Sequence, residues 1–200
     1  MPEAKIILAS KSAGRRTMLE NAGLHFNSVP SDLDEAHIID DLKGQGRDIS
    51  FIALELAKAK ALYISKQYPD ALVIGSDQIL ELDGQLISKA NTAQEARTKL
   101  EMLRGKKHTL ISAVSVARGE EILWHDIDEA QLVMRDVSDK FLDLYCEKAG
   151  DALVHCVGAY ELEGLGSWLF SSIKGDYFTI LGMPLLPVLG YLSDAHGATP

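Results

Sequence analysis

Residues 71–82, ALVIGSDQILEL, constrain the fold of this 200-residue chain more than any other segment. They form a nearly continuous apolar run, which is typical of a strand in the interior of a sheet. The Asp83–Gly84 pair that follows is a strong signal for a hairpin turn. The segment therefore predicts an interior strand that turns back through residues 85–88, QLIS.

The rest of the chain mixes helix and strand patterns without strict βαβ alternation. Such a mixture predicts an α/β fold with a mixed sheet. The predicted elements are a strand at 5–9, a helix at 13–22 capped by Ser12, an extended segment and polar loop at 26–47, a helix from Asp48 or Ser50 to Gln67, a helix at 93–103 capped by Thr92 and Glu95, strands at 108–117, 121–124 and 129–135, a helix after Ser138 to Lys148, a strand near 168–173 and a helix near 184–192.

Length and charge limit the function classes. Two hundred residues suit a single domain covering 1–200, and no apolar segment has the length of a membrane span. The net charge of −9 argues against broad binding to nucleic acid or to an anionic membrane, because both need a positive surface. Cys146 and Cys156 are predicted to be free thiols, so we expect a protein of the reducing cytoplasm.

Asp77 is the most informative single residue. It interrupts the interior strand, where an aspartate is disfavoured both by strand propensity and by the loss of hydration. It could bond neighbouring backbone amides at a strand end. The small neighbours Gly75 and Ser76 leave room for a ligand, however, and favour a functional carboxylate.

Two lysines are candidates for the same site. At 100° per residue Lys60 falls inside the apolar stripe of the helix that ends near Gln67, whereas Lys58 points away from it. An inward lysine needs a partner, because a lone buried ammonium is costly. Lys89 pairs opposite Gln78 in an ideal hairpin, which directs Lys89 and Asp77 to opposite faces. They can share a site only through a bulge, or if the strand ends before Lys89.

The start of the first helix is unusually basic. Arg15 and Arg16 lie where the helix dipole is already positive, a conflict that a bound phosphate beside Ser10 would resolve. Both arginines could instead extend into solvent. The acids of SDLDE, residues 31–35, could bind a divalent ion or form an exposed acidic loop. Several cations together with Asp77, a carboxylate in an apolar strand, are typical of phosphoryl chemistry. These residue types do not distinguish an enzyme that hydrolyses a phosphate compound from a protein that only binds one.

The chain resembles the Maf proteins over essentially its whole length. The segments LASKSAGRRTMLENAGLHF, SDLDE, LAKAKA, VIGSDQIL and GAYELEGLG…GMPLLPVLGYL occur in that family's order and spacing. The resemblance implies a long curved mixed sheet flanked by helices, with a central cleft, similar to inosine triphosphate pyrophosphatases. It also implies a nucleoside triphosphate pyrophosphatase that cleaves between the α and β phosphates with Mg²⁺ or Mn²⁺. A homodimer is a possible assembly.

The resemblance further implies roles for individual residues. Asp77 matches the catalytic proton acceptor and Glu35 the loop acid, and the two are the expected metal ligands. Substrate-binding roles fall on Ser10, Arg15, Lys60, Lys89 and Glu163. The sequence departs from the family pattern at Ala13–Gly14, and Ser-Lys-Ala replaces Gly-Lys-Pro around Lys89.

The substrate is narrowed by two further motifs. GSDQ together with EGLG is similar to the subgroup that acts on 7-methyl-GTP, which implies a housecleaning enzyme. The alternatives are a Maf enzyme acting on dTTP and UTP, and a nucleotide-binding regulatory module without turnover.

Overall fold

A computed structural model describes residues 5–199 of the chain. Within this range the chain forms two compact units. The first comprises the described residues up to Gln78, Ser112–Asp128 and the residues from Gly182 onward; the second comprises Ile79–Ile111 and Glu129–Leu181. Three long strands pass from one unit into the other along the chain. That residues 1–200 act as one domain stays a prediction.

The secondary structure mixes helices and strands in the expected irregular order. The elements are β1 Ile6–Leu8, α1 Ala13–Asn21, β2 Asn27–Ser28, α2 Glu35–Gly44, α3 Ile49–Ser65, β3 Leu72–Leu82, β4 Gln85–Ile87, α4 Ala93–Leu103, β5 Lys107–Arg118, β6 Glu121–Met134, α5 Asp139–Ala149, α6 Ala152–His155, a short 3-10 helix Leu165–Leu169, β7 Phe170–Lys174, α7 Tyr177–Leu181 and α8 Leu185–His196.

The described strands form one mixed sheet of seven strands. Their order is β2-β1-β3-β5-β6-β7, and β4 pairs with β3. In the first unit β1 is parallel to both β2 and β3, with Ile7 opposite Val73. In the second unit β3 pairs antiparallel with β4, and β6 with β7. The predicted α/β fold with a mixed sheet is confirmed.

The first unit is built around the fully buried start of β3. Its residues Leu72, Val73 and Ile74 have no exposed surface, as the continuous apolar run predicts. Helix α3 packs against this strand at Gly75. A Cβ atom there would lie 2.3 Å from the Ala57 carbonyl oxygen and 2.5 Å from the Ala61 nitrogen. Only glycine allows this close approach of the α3 backbone to β3.

The second unit has its own apolar core. Helix α4 contributes Ala96, Leu100 and Leu103 to it, and β6 contributes Leu132 and Met134. These residues follow the helical spacing of three to four and the strand spacing of two that one-sided burial requires. The hairpin from β3 to β4 turns at the predicted Asp83–Gly84 pair, where both residues have positive φ.

Two predictions about the secondary structure were wrong. Residues 35–44 form helix α2, not a polar loop, and the Asp34 side chain accepts a hydrogen bond from the His37 backbone at its start. Residues 121–134 form one strand, although two strands with a polar connection were predicted. Its acids are tolerated because residues 125–129 are exposed or only partly buried.

Two expectations concern chemistry outside the site. Among the described helices, none is both long and apolar enough to span a bilayer. Cys146 and Cys156 are both free thiols, as predicted.

Candidate active site

A buried ammonium between two carboxylates forms the centre of the candidate site in the first unit. Lys60 Nζ lies 2.6 Å from Asp77 Oδ1 and 3.0 Å from Glu35 Oε2. The Lys60 and Asp77 side chains are only 9% and 11% exposed, whereas that of Glu35 is 45% exposed. The prediction that Lys60 faces inward is confirmed, and the partner that it needs is Asp77.

Three elements place these side chains. Asp77 follows the fully buried Gly75–Ser76 pair on β3, and Lys60 lies one turn from the Ala57 carbonyl that touches Gly75. The N-terminus of α3 is capped by Asp48, which accepts from the Phe51 backbone at 2.7 Å. Glu35 is the first residue of α2, directly after its capping residue. The missed helix therefore fixes the position of one of the predicted metal ligands.

Arg15 is held by the protein at three points. Its Nε donates to the Gly182 carbonyl at 2.8 Å, and its Nη1 donates to the Ser76 carbonyl at 2.9 Å and to Ser10 Oγ at 3.3 Å. Burial lowers the pKa of Arg15, and the charges of Asp77 and Glu35 act in the opposite direction. The positive charge at the start of α1 is therefore balanced by carbonyl oxygens and nearby carboxylates.

Ser10 connects this arginine to a hollow of about 640 Å³ in the first unit. Ser10 is 93% buried, and its Oγ also accepts from the Ser12 backbone at 3.2 Å. Lys11, Arg16 and His25 also line the hollow. Arg16 is exposed there, while Arg15 is turned inward. The two arginines, which the helix-dipole argument does not distinguish, thus have different surroundings.

Lys89 and Glu163 belong to the second unit. Strand β4 ends at Ile87, two residues before Lys89, so the alternation of the hairpin does not set the direction of Lys89. Burial raises the pKa of the Cys156 thiol to about 11; the charges of Glu161 and Glu163 raise it further and the charge of Lys89 lowers it. Lys89 and Glu163 therefore lie in one electrostatic neighbourhood, and both are exposed.

The chemistry of Glu35 and Asp77 fits Mg²⁺ or Mn²⁺. Both groups are carboxylates, the ligands that these hard cations prefer, and both are within bonding distance of the same lysine nitrogen. No group of three metal-binding side chains occurs among residues 5–199. Two carboxylates suffice for Mg²⁺ when phosphate oxygens of a substrate complete the coordination.

Sequence reasoning missed Lys99, a second buried lysine. It is 7% exposed and lies on α4 between the buried residues Ala96, Leu100 and Leu103. The helical-wheel argument that identifies Lys60 applies equally to Lys99 and would have found it. The roles of the Ser76 and Gly182 carbonyls left no signal, because backbone acceptors are independent of residue type.

The mixed sheet flanked by helices makes this an α/β protein. Its candidate site combines a buried lysine between two carboxylates with a fixed arginine and a serine. The chain belongs to the Maf family: the family model described as Maf-like protein matches residues 5–195.

Individual relatives align over nearly the whole chain. A nucleoside triphosphate pyrophosphatase of Granulibacter bethesdensis is 45% identical over 195 residues, which cover 98% of this chain and 99% of that protein. A 7-methyl-GTP pyrophosphatase of Rhizobium etli is 42% identical over 190 residues, 95% of this chain and 96% of that protein. Among solved structures, a HAM1 protein from Coxiella burnetii aligns with 82% of this chain and 98% of its own at 14% identity and a TM-score of 0.42.

Proposed function

We propose that this protein is a nucleoside triphosphate pyrophosphatase, which hydrolyses the bond between the α and β phosphates and releases a nucleoside monophosphate and pyrophosphate. Membership of the Maf family and the names of relatives at 42–45% identity support the reaction. The observation that carries the proposal is the buried Asp77, held 2.6 Å from Lys60. Burying a charged pair costs hydration free energy, so a chemical role explains the Lys60–Asp77 pair better than a contribution to stability does.

The residues of the first unit divide the work. Asp77 accepts the proton of the water that attacks the α phosphorus, and the Lys60 ammonium, 2.6 Å from Asp77 Oδ1, orients that carboxylate. When phosphate oxygens arrive, Lys60 can exchange its bond to the exposed Glu35 for a bond to phosphate. Nε and Nη1 of Arg15 already donate to protein acceptors, one of which is Ser10 Oγ. Arg15 therefore contributes its positive charge and fixes the position of Ser10. Lys89 of the second unit is proposed as a further phosphate ligand.

A divalent cation is part of the proposal. Glu35 and Asp77 would hold Mg²⁺ or Mn²⁺, which when bound offsets negative charge on the triphosphate. Among nucleoside triphosphates, the proposed substrate is 7-methyl-GTP. The name of the Rhizobium relative and the residues Gln78 and Glu163 support this choice. A cytoplasmic housecleaning role follows from these assignments.

Pyrophosphate release tests the reaction. The protein is incubated with GTP, 7-methyl-GTP, dTTP or UTP plus Mg²⁺ or Mn²⁺. Wild-type protein should release pyrophosphate, and Asp77→Asn should lower kcat by at least 100-fold, as expected for the loss of a general base. Asp70→Asn, at an exposed position of the same unit, is the matched control and should keep full activity.

Two outcomes would contradict the proposal. Wild-type protein that binds a triphosphate but releases no pyrophosphate would favour the regulatory module. Asp77→Asn with more than about a tenth of the wild-type kcat would remove Asp77 from the chemical step.

A further inference from the structure

Lys99 is a buried cation whose function the proposed reaction does not yet include. Its Nζ donates to the backbone carbonyl of Ser88 and, at 3.0 Å, to that of Val157. Ser88 lies in the connection between β4 and α4, and Val157 lies in the connection after α6. One side chain thus ties two connecting segments of the second unit to helix α4.

Burying the Lys99 ammonium costs hydration free energy, so we expect its contacts to have a function that offsets this cost. Burial lowers the pKa of Lys99 to about 8, because the core disfavours its charged form. The other inward positions of α4, at 96, 100 and 103, carry apolar residues. An apolar residue at 99 would avoid the loss of hydration but would leave both carbonyl oxygens without this donor.

The two carbonyls belong to the segments that carry the proposed substrate residues. Ser88 directly precedes Lys89, and Val157 precedes the segment with Glu161 and Glu163. The charge of Lys89 acts on both Lys99 and Cys156, and the charges of Glu161 and Glu163 act on Cys156. Lys99 is therefore bonded to the residue next to Lys89 and to the start of the segment that leads to Glu163.

We propose that Lys99 is a positioning residue that fixes the backbone on either side of it, so that Lys89 and the Glu161–Glu163 segment are held in place for the substrate. The inference rests on the proposed function, in which Lys89 binds phosphate. Residues 88–90 lie outside any strand or helix, and the bond from Lys99 to the Ser88 carbonyl is a tertiary contact that restrains them. Lysine is a long, flexible side chain, and fixing its backbone reduces the entropy that it loses on binding.

A double-mutant cycle on kcat/KM tests the proposal. The variants are Lys99→Met, Lys89→Met and both together, with Lys140→Met as control, since Lys140 is an exposed lysine of α5 in the same unit. With GTP or 7-methyl-GTP and Mg²⁺, Lys89→Met should lower kcat/KM about tenfold or more, as for one charged hydrogen bond. Lys99→Met should lower it by a similar factor, mainly through a higher KM.

The cycle separates positioning from mere stability. If Lys99 acts through Lys89, adding Lys99→Met to Lys89→Met lowers kcat/KM by less than about twofold more. Equal factors in both backgrounds, or a change in thermal stability with unchanged KM, would overturn the proposal. If Lys99→Met does not fold, the same cycle with Lys99→Gln, which keeps an amide donor, is scored by the same criteria.

Hydrogen–deuterium exchange provides a readout that needs no activity. Amide exchange in segment 88–91 and after Val157 should be faster in Lys99→Met than in wild type or Lys140→Met. Unchanged exchange refutes the positioning role even if the enzyme is active. A wild-type protein without pyrophosphate release, combined with faster exchange in the variant, refutes the proposed function and leaves the contact itself established.

Discussion

At the scale of single residues, Lys60 shows that a buried charge requires a partner of opposite charge. Lys60 and Asp77 together are nearly removed from water, so each is stabilised chiefly by the other. Removing one partner of such a pair leaves an uncompensated buried charge, whereas removing both does not. Lys58, two residues earlier on the same helix, makes a 2.9 Å pair with Glu55, and these two side chains are 24% and 33% exposed.

We therefore expect Lys60→Met to lower the free energy of unfolding by about 3 kcal/mol, the lower end for a broken buried pair. Lys58→Met should cost less than about 1 kcal/mol, because an ion pair between neighbouring turns of a helix that keeps contact with solvent contributes little. Urea denaturation at pH 7 measures both. The double variant Lys60→Met/Asp77→Asn should recover part of the loss. Equal losses in the two single variants would show that burial does not distinguish the two lysines.

The same residue scale shows what the sequence could reveal. Asp77 and Lys60 were predictable because each violates a pattern, a carboxylate in an apolar strand and an ammonium in an apolar stripe. Arg15 was predictable as a conflict at a helix start, but its solution was not. The Gly182 carbonyl that accepts from Arg15 is 167 residues away in sequence, and no local pattern reports such a contact.

At the scale of elements, the contact between α3 and β3 at Gly75 sets the position of the Lys60–Asp77 pair. Gly75→Ala places a Cβ against the Ala57 carbonyl and the Ala61 nitrogen, so helix and strand have to separate. We expect a loss of about 3 kcal/mol in the free energy of unfolding, as for severe overpacking, together with a lower kcat. Thermal unfolding and pyrophosphate release measure the two effects.

The matched control is Gly190→Ala in helix α8. No atom lies within 4 Å of a Cβ at this position, so the substitution should stabilise the protein by about 0.5–1 kcal/mol through helix propensity. A Gly75→Ala variant that is as stable and active as Gly190→Ala would disprove the role of the close contact.

Elements with a strong periodic pattern were predictable, and those without one were not. Helix α3 and strand β3 are buried along one or both faces, and both were predicted within two residues of their observed ends. Helix α2 has no fully buried residue, and its apolar stripe is short, comprising Ile38, Ile39 and Leu42, which are only partly buried. In β6 the acids at 126, 128 and 129 led to the prediction of a polar connection between two strands. Local strand propensity disfavours acids, but it does not account for the pairing of β6 with β5 and β7, which keeps the segment extended.

At the scale of the whole molecule, the charge distribution favours one kind of base. The chain carries 29 acidic and 20 basic residues, so its net field repels a polyphosphate and attracts a positive group. In the candidate site the charges of Arg15 and Lys60 are offset by those of Asp77 and Glu35. A nucleotide with a positive ring, such as 7-methyl-GTP, therefore matches the surrounding field better than one with a neutral ring.

Base preference is therefore expected to depend on Glu163. An ionised glutamate offers only acceptors, which suit the N1–H and N2–H₂ donors of guanine and the positive charge of an N7-methylated ring. A glutamine can also donate, which suits the carbonyls of uracil and thymine better. We expect wild-type kcat/KM to be higher for 7-methyl-GTP than for dTTP or UTP, and Glu163→Gln to reduce that preference about tenfold, as for one hydrogen bond to a charged group.

Glu161→Gln is the matched control, since Glu161 is also exposed, lies two residues away and acts on the same thiol. Comparing kcat/KM for 7-methyl-GTP, GTP, dTTP and UTP in all three proteins decides the point. An unchanged ranking in Glu163→Gln, or the same change in Glu161→Gln, would remove Glu163 from base selection. A wild-type preference for dTTP would instead assign the protein to the pyrimidine-nucleotide subgroup, and it would contradict the proposed match between the Glu163 carboxylate and the donors of guanine.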